Sequence, residues 1–262
     1  VSVDVHYVAD GPEDAPVVVL SGSLGSTLDM WEPQVAALAS EFRVVRYDHR
    51  GHGNSPTPDG PYSMADLGAD TVRLLDRIGA ERVCFAGLSI GGMVGMWLAA
   101  NAPERIDRLA LLCTSARFAP PEAWAQRADL VRREGTGAVA SGVVARWFTT
   151  GYAEKEPEVT ERMRAMVAAT PAEGYAGCCN AIERADLHPE LGRISAPTLV
   201  VGGAEDPASP PDQAELLADG IGGARLRVLD STAHLASWER ADHVNELLRE
   251  HFSATSQAAR KP

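Results

Sequence analysis

No run of apolar residues is long enough to cross a bilayer, and the N-terminus, Val1-Ser2-Val3-Asp4-Val5-His6, has neither the basic segment nor the apolar stretch of an export signal. The expectation is a soluble, cytoplasmic protein. Positive charge is also scarce, with 24 basic side chains against 36 acidic ones and a formal net charge of −12. Such a surface repels nucleic acid and acidic membranes, so neither is expected as a partner, and an anionic substrate would need a local cation. Cysteine is sparse: Cys84, Cys113, Cys178 and Cys179 show no C-x-x-C spacing. Two fall in expected buried strands and two are sequence neighbours that cannot easily pair, which favours reduced thiols and gives no support to a metal site built from them. Internal repeats and low-complexity blocks are missing too. The 262 residues, 45% of them hydrophobic, are enough for one α/β domain with room for an inserted subdomain.

Against that background one stretch stands out, Arg82-Val83-Cys84-Phe85-Ala86-Gly87-Leu88-Ser89-Ile90-Gly91-Gly92. A β-rich run stops at Gly-x-Ser-x-Gly, and the residues through Ala100 read as a packed helix. Strand, sharp turn and helix in that order lift a serine hydroxyl above the sheet, and small residues are required where strand and helix nearly touch. This is the nucleophile elbow of an α/β-hydrolase fold, a mostly parallel sheet flanked by helices.

The flanking pattern agrees. Residues 3–8 and 16–20 read as opening strands, and Val17-Val18-Val19-Leu20 is apolar on both faces, as a buried parallel strand should be. The small-residue loop Ser21-Gly22-Ser23-Leu24-Gly25-Ser26 follows at the strand end where open α/β sheets hold their sites. Its expected role is to aim a backbone N–H, that of Ser23, at the same point as the N–H of Ile90, forming an oxyanion hole. A helix over 31–39 and a strand over 42–47 lead to the polar loop Asp48-His49-Arg50-Gly51-His52-Gly53-Asn54-Ser55. That loop lacks the third glycine of a dinucleotide fingerprint, since position 56 is proline, and its two histidines lack a third metal ligand. A hydrogen-bonded turn is the better reading. Ser63 and Asp66 form a capping-box pattern ahead of a helix, and a strand over 106–113 completes a βαβα series.

From about 118 to 188 the pattern turns helical, around 121–134, 137–149, 157–169 and 175–185, with no strand between. The expected organisation is a core of residues 1–117 and 189–253, a helical lid over 118–188, and a flexible tail over 254–262. Within the lid, Trp124 near Arg127 and the run Arg146-Trp147-Phe148 supply candidate substrate contacts: Trp124, Arg146 and Trp147. Strands over 196–202 and 225–229 and helices over 211–218 and 241–251 restore the sheet order.

A serine needs a base to take its proton, and in this fold the chain order is serine, acid, histidine. His243 and His251 fall within or at the end of a helix, whereas His234 sits in a loop after a strand. The strand after the elbow ends without a carboxylate, so the next supplies it, from Glu205 or Asp206. Asp206, beside Pro207, is the choice; Asp230 suits the turn before His234. Ser89, Asp206 and His234 at the ends of three strands predict acyl transfer to water without a cofactor or metal.

The segments Val44-Val45-Arg46-Tyr47-Asp48-His49-Arg50-Gly51-His52-Gly53, Gly87-Leu88-Ser89-Ile90-Gly91-Gly92, Arg146-Trp147-Phe148 and Ala233-His234-Leu235-Ala236 resemble the 3-oxoadipate enol-lactonases of bacterial aromatic catabolism, over roughly residues 3–252. The resemblance implies hydrolysis of a small anionic lactone to 3-oxoadipate in the β-ketoadipate pathway, with Arg146 as the candidate cation for its carboxylate. Some family members continue into a carboxymuconolactone decarboxylase domain; this chain is expected to perform the lactonase step alone. A carboxylesterase, a cofactor-free perhydrolase, a C–C bond hydrolase or a ligand receptor on the same scaffold are the alternatives, and homo-oligomerisation is left open.

Overall fold

The computed structural model describes residues 1–118 and 120–254. Its centre is a seven-stranded sheet of β1 (Tyr7–Asp10), β2 (Val17–Ser21), β3 (Arg43–Tyr47), β4 (Val83–Leu88), β5 (Ile106–Leu112), β6 (Thr198–Gly203) and β7 (Arg225–Leu229), ordered β1-β3-β2-β4-β5-β6-β7. All neighbouring strands run parallel except β1, which pairs antiparallel with β3 in the register Tyr7↔Tyr47. Strands β4 and β6 are buried along their whole length, which is why their sequences are continuous small and apolar runs rather than alternating ones.

The first strand begins later than the sequence pattern predicts. The Val3 N–H donates to the Asp70 carboxylate at 2.6 Å and the His6 N–H to Ser55 Oγ at 2.8 Å, so the opening residues satisfy their donors on side chains instead of a ladder.

Helices flank the sheet in two groups. One contains α1 (Glu32–Leu38); the other contains α2 (Met64–Arg77) and α3 (Ile90–Asn101). The predicted capping box starts α2: Ser63 Oγ accepts the Asp66 N–H, and the Asp66 carboxylate accepts the Ser63 N–H at 3.0 Å. Helix α3 buries every residue but Trp97 and Asn101, so it is apolar on all sides.

Between β5 and β6 the described residues form only helices: α4 (Pro121–Glu134), α5 (Gly137–Val144), α6 (Thr150–Lys155), α7 (Pro157–Ala169), α8 (Ala172–Arg184) and the short α9 (His188–Leu191). The sequence pattern joined residues 137–149 in one helix. The structure ends α5 at Val144, where the Arg146 and Trp147 N–H groups bond three residues back and turn Trp147 and Phe148 inward; a separate α6 follows, its first turn capped by Thr149. The chain closes with α10 (Pro211–Gly220), α11 (Ala236–Glu239) and α12 (Ala241–Ser253), and α12 packs beside α1. Of the expected tail, residues 255–262 lie outside the described residues. No disulfide forms among the described residues, and all four cysteines are buried. None of the described helices is long and apolar enough to cross a membrane.

Candidate active site

The turn from β4 into α3 places Ser89 at φ 59° and ψ −119°, a left-handed conformation that side chains other than glycine seldom adopt. It is pinned on both sides: the Ser89 N–H donates to Leu112 O at 3.0 Å, and Thr114 Oγ1 donates to Ser89 O at 2.6 Å. Glycine is required at 91, because a Cβ there would lie 2.1 Å from Ser21 O.

The loops after β6 and β7 carry the other two residues of the expected triad. His234 Nδ1 is 2.8 Å from Asp206 Oδ2, and both side chains are buried. Glu205 is exposed, and Asp230 is an exposed turn residue whose carbonyl accepts Thr232 Oγ1 at 2.9 Å. Asp206 also accepts Ser209 Oγ at 2.6 Å and the amides of Ala208 and Ser209 at 2.8 and 3.1 Å. Burial pushes its carboxyl up, but attraction to His234 and these hydrogen bonds outweigh that push and hold it below the usual carboxylate range. An ionised carboxylate can only accept, so Nδ1 of His234 carries a proton and donates it to Asp206.

The loop expected to complete an oxyanion hole brings Ser23 and Leu24 to the cavity beside Ser89. The Ser23 N–H points to the Met30 thioether at 3.0 Å, and Ser26 Oγ shares that sulfur at 2.9 Å. The next amide, that of Leu24, has no acceptor among the described residues, and Leu24 lines the cavity beside Ser89. The Ile90 amide, first in α3, has no intrahelical acceptor either.

Two histidines of the polar loop hold this segment in place. His52 Nδ1 donates to Arg50 O at 3.1 Å, leaving Nε2 to accept the Gly25 N–H at 2.9 Å. His49 Nε2 donates to Gly22 O at 3.1 Å. Asp48 accepts the Leu28 and Asn54 amides at 2.7 and 2.9 Å, so the loop is the hydrogen-bonded turn the sequence predicts. The described residues contain no group of three or more His, Cys, Asp and Glu side chains that could hold a metal.

Burial pushes the His49 ring down to about 3, with repulsion from His52 adding to it, and the His52 ring down to about 4. Both are neutral in the folded protein and bind a proton on unfolding below about pH 6.5. Stability is therefore full above about pH 6.5 and falls with pH until the folded-state rings titrate, at ~1.4 kcal/mol per pH unit for each ring. His52→Gln retains an acceptor for Gly25 and should remove one proton's share of that slope between about pH 6 and 4.5. Urea midpoints measured across that range would show it; unchanged slopes would mean that His52 is already charged in the fold.

Ser89 and His234 open into a cavity of about 210 Å³, below the roughly 300–1,000 Å³ of pockets for drug-sized ligands. All three expected contact residues, Trp124, Arg146 and Trp147, line it, as do Ser23 and Leu24. Phe118, Arg127 and Tyr175 join them without having been singled out by sequence pattern as substrate contacts. Trp147 is buried, and its carbonyl accepts the Leu235 N–H at 2.8 Å. Glu239 accepts the Ala233 N–H at 2.8 Å and also the N–H and hydroxyl of Thr149. The inserted helices are thus tied directly to the loop that carries His234.

A profile described as the alpha/beta hydrolase fold matches residues 15–241. The 3-oxoadipate enol-lactonase 2 of Acinetobacter baylyi is 40% identical over 93% of this chain and 91% of its own length. The crystal structure of the enol-lactonase from Burkholderia xenovorans LB400 superposes with a TM-score of 0.93 at 45% identity, covering 95% of this chain and 96% of that one. A thermophilic esterase from Thermogutta terrifontis, solved with malate bound, gives a TM-score of 0.90 at 31% identity, over 96% of this chain and 93% of that one.

Proposed function

The chain belongs to the α/β-hydrolase fold family, and from that premise we propose that it is a carboxylic ester hydrolase that opens 3-oxoadipate enol-lactone with water. The observation that carries the reaction class is the buried His234–Asp206 pair at 2.8 Å, with His234 lining the same small cavity as a serine held in a strained elbow. The choice of substrate rests on the likeness, over nearly the whole length, to relatives named as enol-lactonases.

In the proposed reaction His234 Nε2 takes the Ser89 hydroxyl proton as Oγ attacks the lactone carbonyl. Asp206 keeps the imidazole oriented and stabilises its cationic form. Charge develops on the carbonyl oxygen and is met by the amides of Leu24 and Ile90, Leu24 replacing Ser23 in that role. The ring C–O bond breaks, and the departing enol oxygen receives the proton from His234. An enol leaves more readily than a saturated alcohol and then tautomerises to the ketone. Water, deprotonated by His234, attacks the acyl-enzyme, and the second carboxylate is released as Ser89 regains its proton. Residues 118–188 serve as a lid that keeps this cavity small, with Trp147 contacting substrate.

Loss of the enol-lactone's ultraviolet absorbance tests the assignment. Purified protein should give kcat/KM of about 10⁴ M⁻¹ s⁻¹ or more on the lactone, well above its value on p-nitrophenyl acetate. The likeness to an esterase supports a second reading, a simple ester hydrolase. Hydrolysis of the nitrophenyl ester with no turnover of the lactone would leave that reading standing and overturn the first.

A further inference from the structure

The cavity beside Ser89 ends at a wall that it shares with a second hollow. Arg127 on α4, Val143 on α5 and Arg146 just past α5 line both the catalytic cavity and an outer recess of about 290 Å³, whose other side is formed by Ala138, Val139 and Gly142. Val139, Gly142 and Val143 are spaced three and four residues apart, so they fall on one face of α5. Gly142 is exposed, and a Cβ added there would meet nothing within 4 Å. Glycine is less favourable than alanine inside a helix, and no close approach calls for it at this position. What its missing side chain leaves open is the recess.

Of the three shared residues, Val143 is the one that cannot step aside. It is 6% exposed, and a β-branched side chain in a helix has essentially one χ1 rotamer. Its backbone is fixed in turn, since its carbonyl accepts the Arg146 N–H at 3.1 Å and α5 packs against both α4 and α7. The arginines differ in this respect. Arg146 is half-buried, on a long stem that can carry its head toward water. Arg127 lies on the α4 side of the wall, its guanidinium over the Trp124 ring at 4.5 Å from the centroid. With Val143 in place the substrate is confined to about 210 Å³.

We propose that Val143 sets the length of chain the catalytic cavity accepts by closing it off from the outer recess, so that the site takes small lactones and short esters and excludes esters with longer aliphatic chains. The limit is expressed on substrates cleaved at Ser89 and rests to that extent on the hydrolase reading above. Removing the Val143 side chain joins the two hollows and gives a longer chain an apolar path past Val139 and over Gly142.

The test compares p-nitrophenyl esters from acetate to octanoate, beside straight-chain alkyl acetates of the same lengths, which tell whether the chain is carried on the acyl or the alcohol side. Each methylene newly buried is worth about four-fold. Val143→Ala should therefore raise the ratio of octanoate to butanoate kcat/KM, or that of octyl to butyl acetate, about 10- to 100-fold over wild type. Gly142→Phe, which fills the recess, should cancel that gain in the double variant and leave the ratio unchanged on its own. Val143→Leu reads the same limit from the other side and should shorten the longest chain accepted, which keeps the test open if the alanine variant fails to fold. Profiles parallel to wild type in both series would overturn the proposal, and so would an extension produced by Arg146→Ala but not by Val143→Ala. A wild type that cleaves these esters but leaves the enol-lactone intact would overturn the lactone assignment and keep the test of Val143. If no ester or lactone were cleaved, the hydrolase reading would fall, and calorimetry with octanoate would judge Val143 alone. Binding about 10-fold tighter when Val143→Ala is added to Ser89→Ala supports the wall, and equal affinities overturn it.

Discussion

Ser89→Ala loses about 10⁴- to 10⁶-fold in lactone kcat, the range expected when a triad nucleophile is removed and only the oxyanion amides and the cavity are left. The cause is local. His234 and Asp206 keep their 2.8 Å contact, since Asp206 is also held by Ser209 and Ala208, but no oxygen is available to form the acyl-enzyme. Alanine has the same Cβ as serine, so the variant retains the strained φ of 59° and should unfold near the wild-type midpoint. Ser89→Gly separates the two properties. It should be as inactive as the alanine variant yet more stable by about 1–2 kcal/mol, because glycine enters this backbone region without penalty. Thermal unfolding followed by circular dichroism, beside the absorbance assay, reads both quantities. Activity in Ser89→Ala above about one per cent of wild type would place the nucleophile elsewhere. An unchanged midpoint in Ser89→Gly would mean that the elbow stores no strain.

The elbow could be read from sequence because its demands are local: a glycine two residues either side of the serine and a β-rich run ahead of it. The chain order of serine, acid and histidine, with each at the end of a strand, then picked out Asp206 and His234, and the structure brings these two together. Regular elements were legible for a similar reason. Strand β7 and helices α4 and α7 occupy the ranges their apolar spacing predicts. What sequence pattern could not supply was the direction of single backbone groups. Whether Ser23 or Leu24 offers its amide to the cavity is set by the sulfur of Met30 and by the ring of His52, 27 residues beyond Gly25. Contacts of that kind have no periodicity. Tyr175 was hidden by another ambiguity: a buried aromatic on a helix reads as core until it is seen to line the cavity.

The second large effect concerns how the inserted helices meet the sheet domain. Gly174 in α8 and Gly51 in the polar loop touch backbone to backbone. A Cβ on Gly174 would lie 2.0 Å from Gly51 O and 2.3 Å from Gly51 Cα, and neither atom is the tip of a side chain that could swing aside. The loop itself cannot yield easily, because the Gly51 N–H donates to Pro56 O at 2.8 Å and the adjoining Arg50 is buried in an ion pair with Asp70 at 2.6 Å. Gly174→Ala must therefore drive α8 off the loop, carrying Tyr175 away from the cavity and disturbing His52, which supports Gly25. The expected cost is about 3 kcal/mol, a fall in Tm of about 6–12 °C for a domain of this size, together with a loss of lactone turnover. Gly142→Ala provides the opposing case. It makes the same change inside α5, where an added Cβ meets nothing within 4 Å, and should stabilise by up to about 1 kcal/mol through helix propensity alone. Thermal melts of the two variants should move in opposite directions. If Gly174→Ala melted with the wild type and kept its turnover, α8 would have to be free to shift, and the cavity wall that Tyr175 supplies would not be rigid.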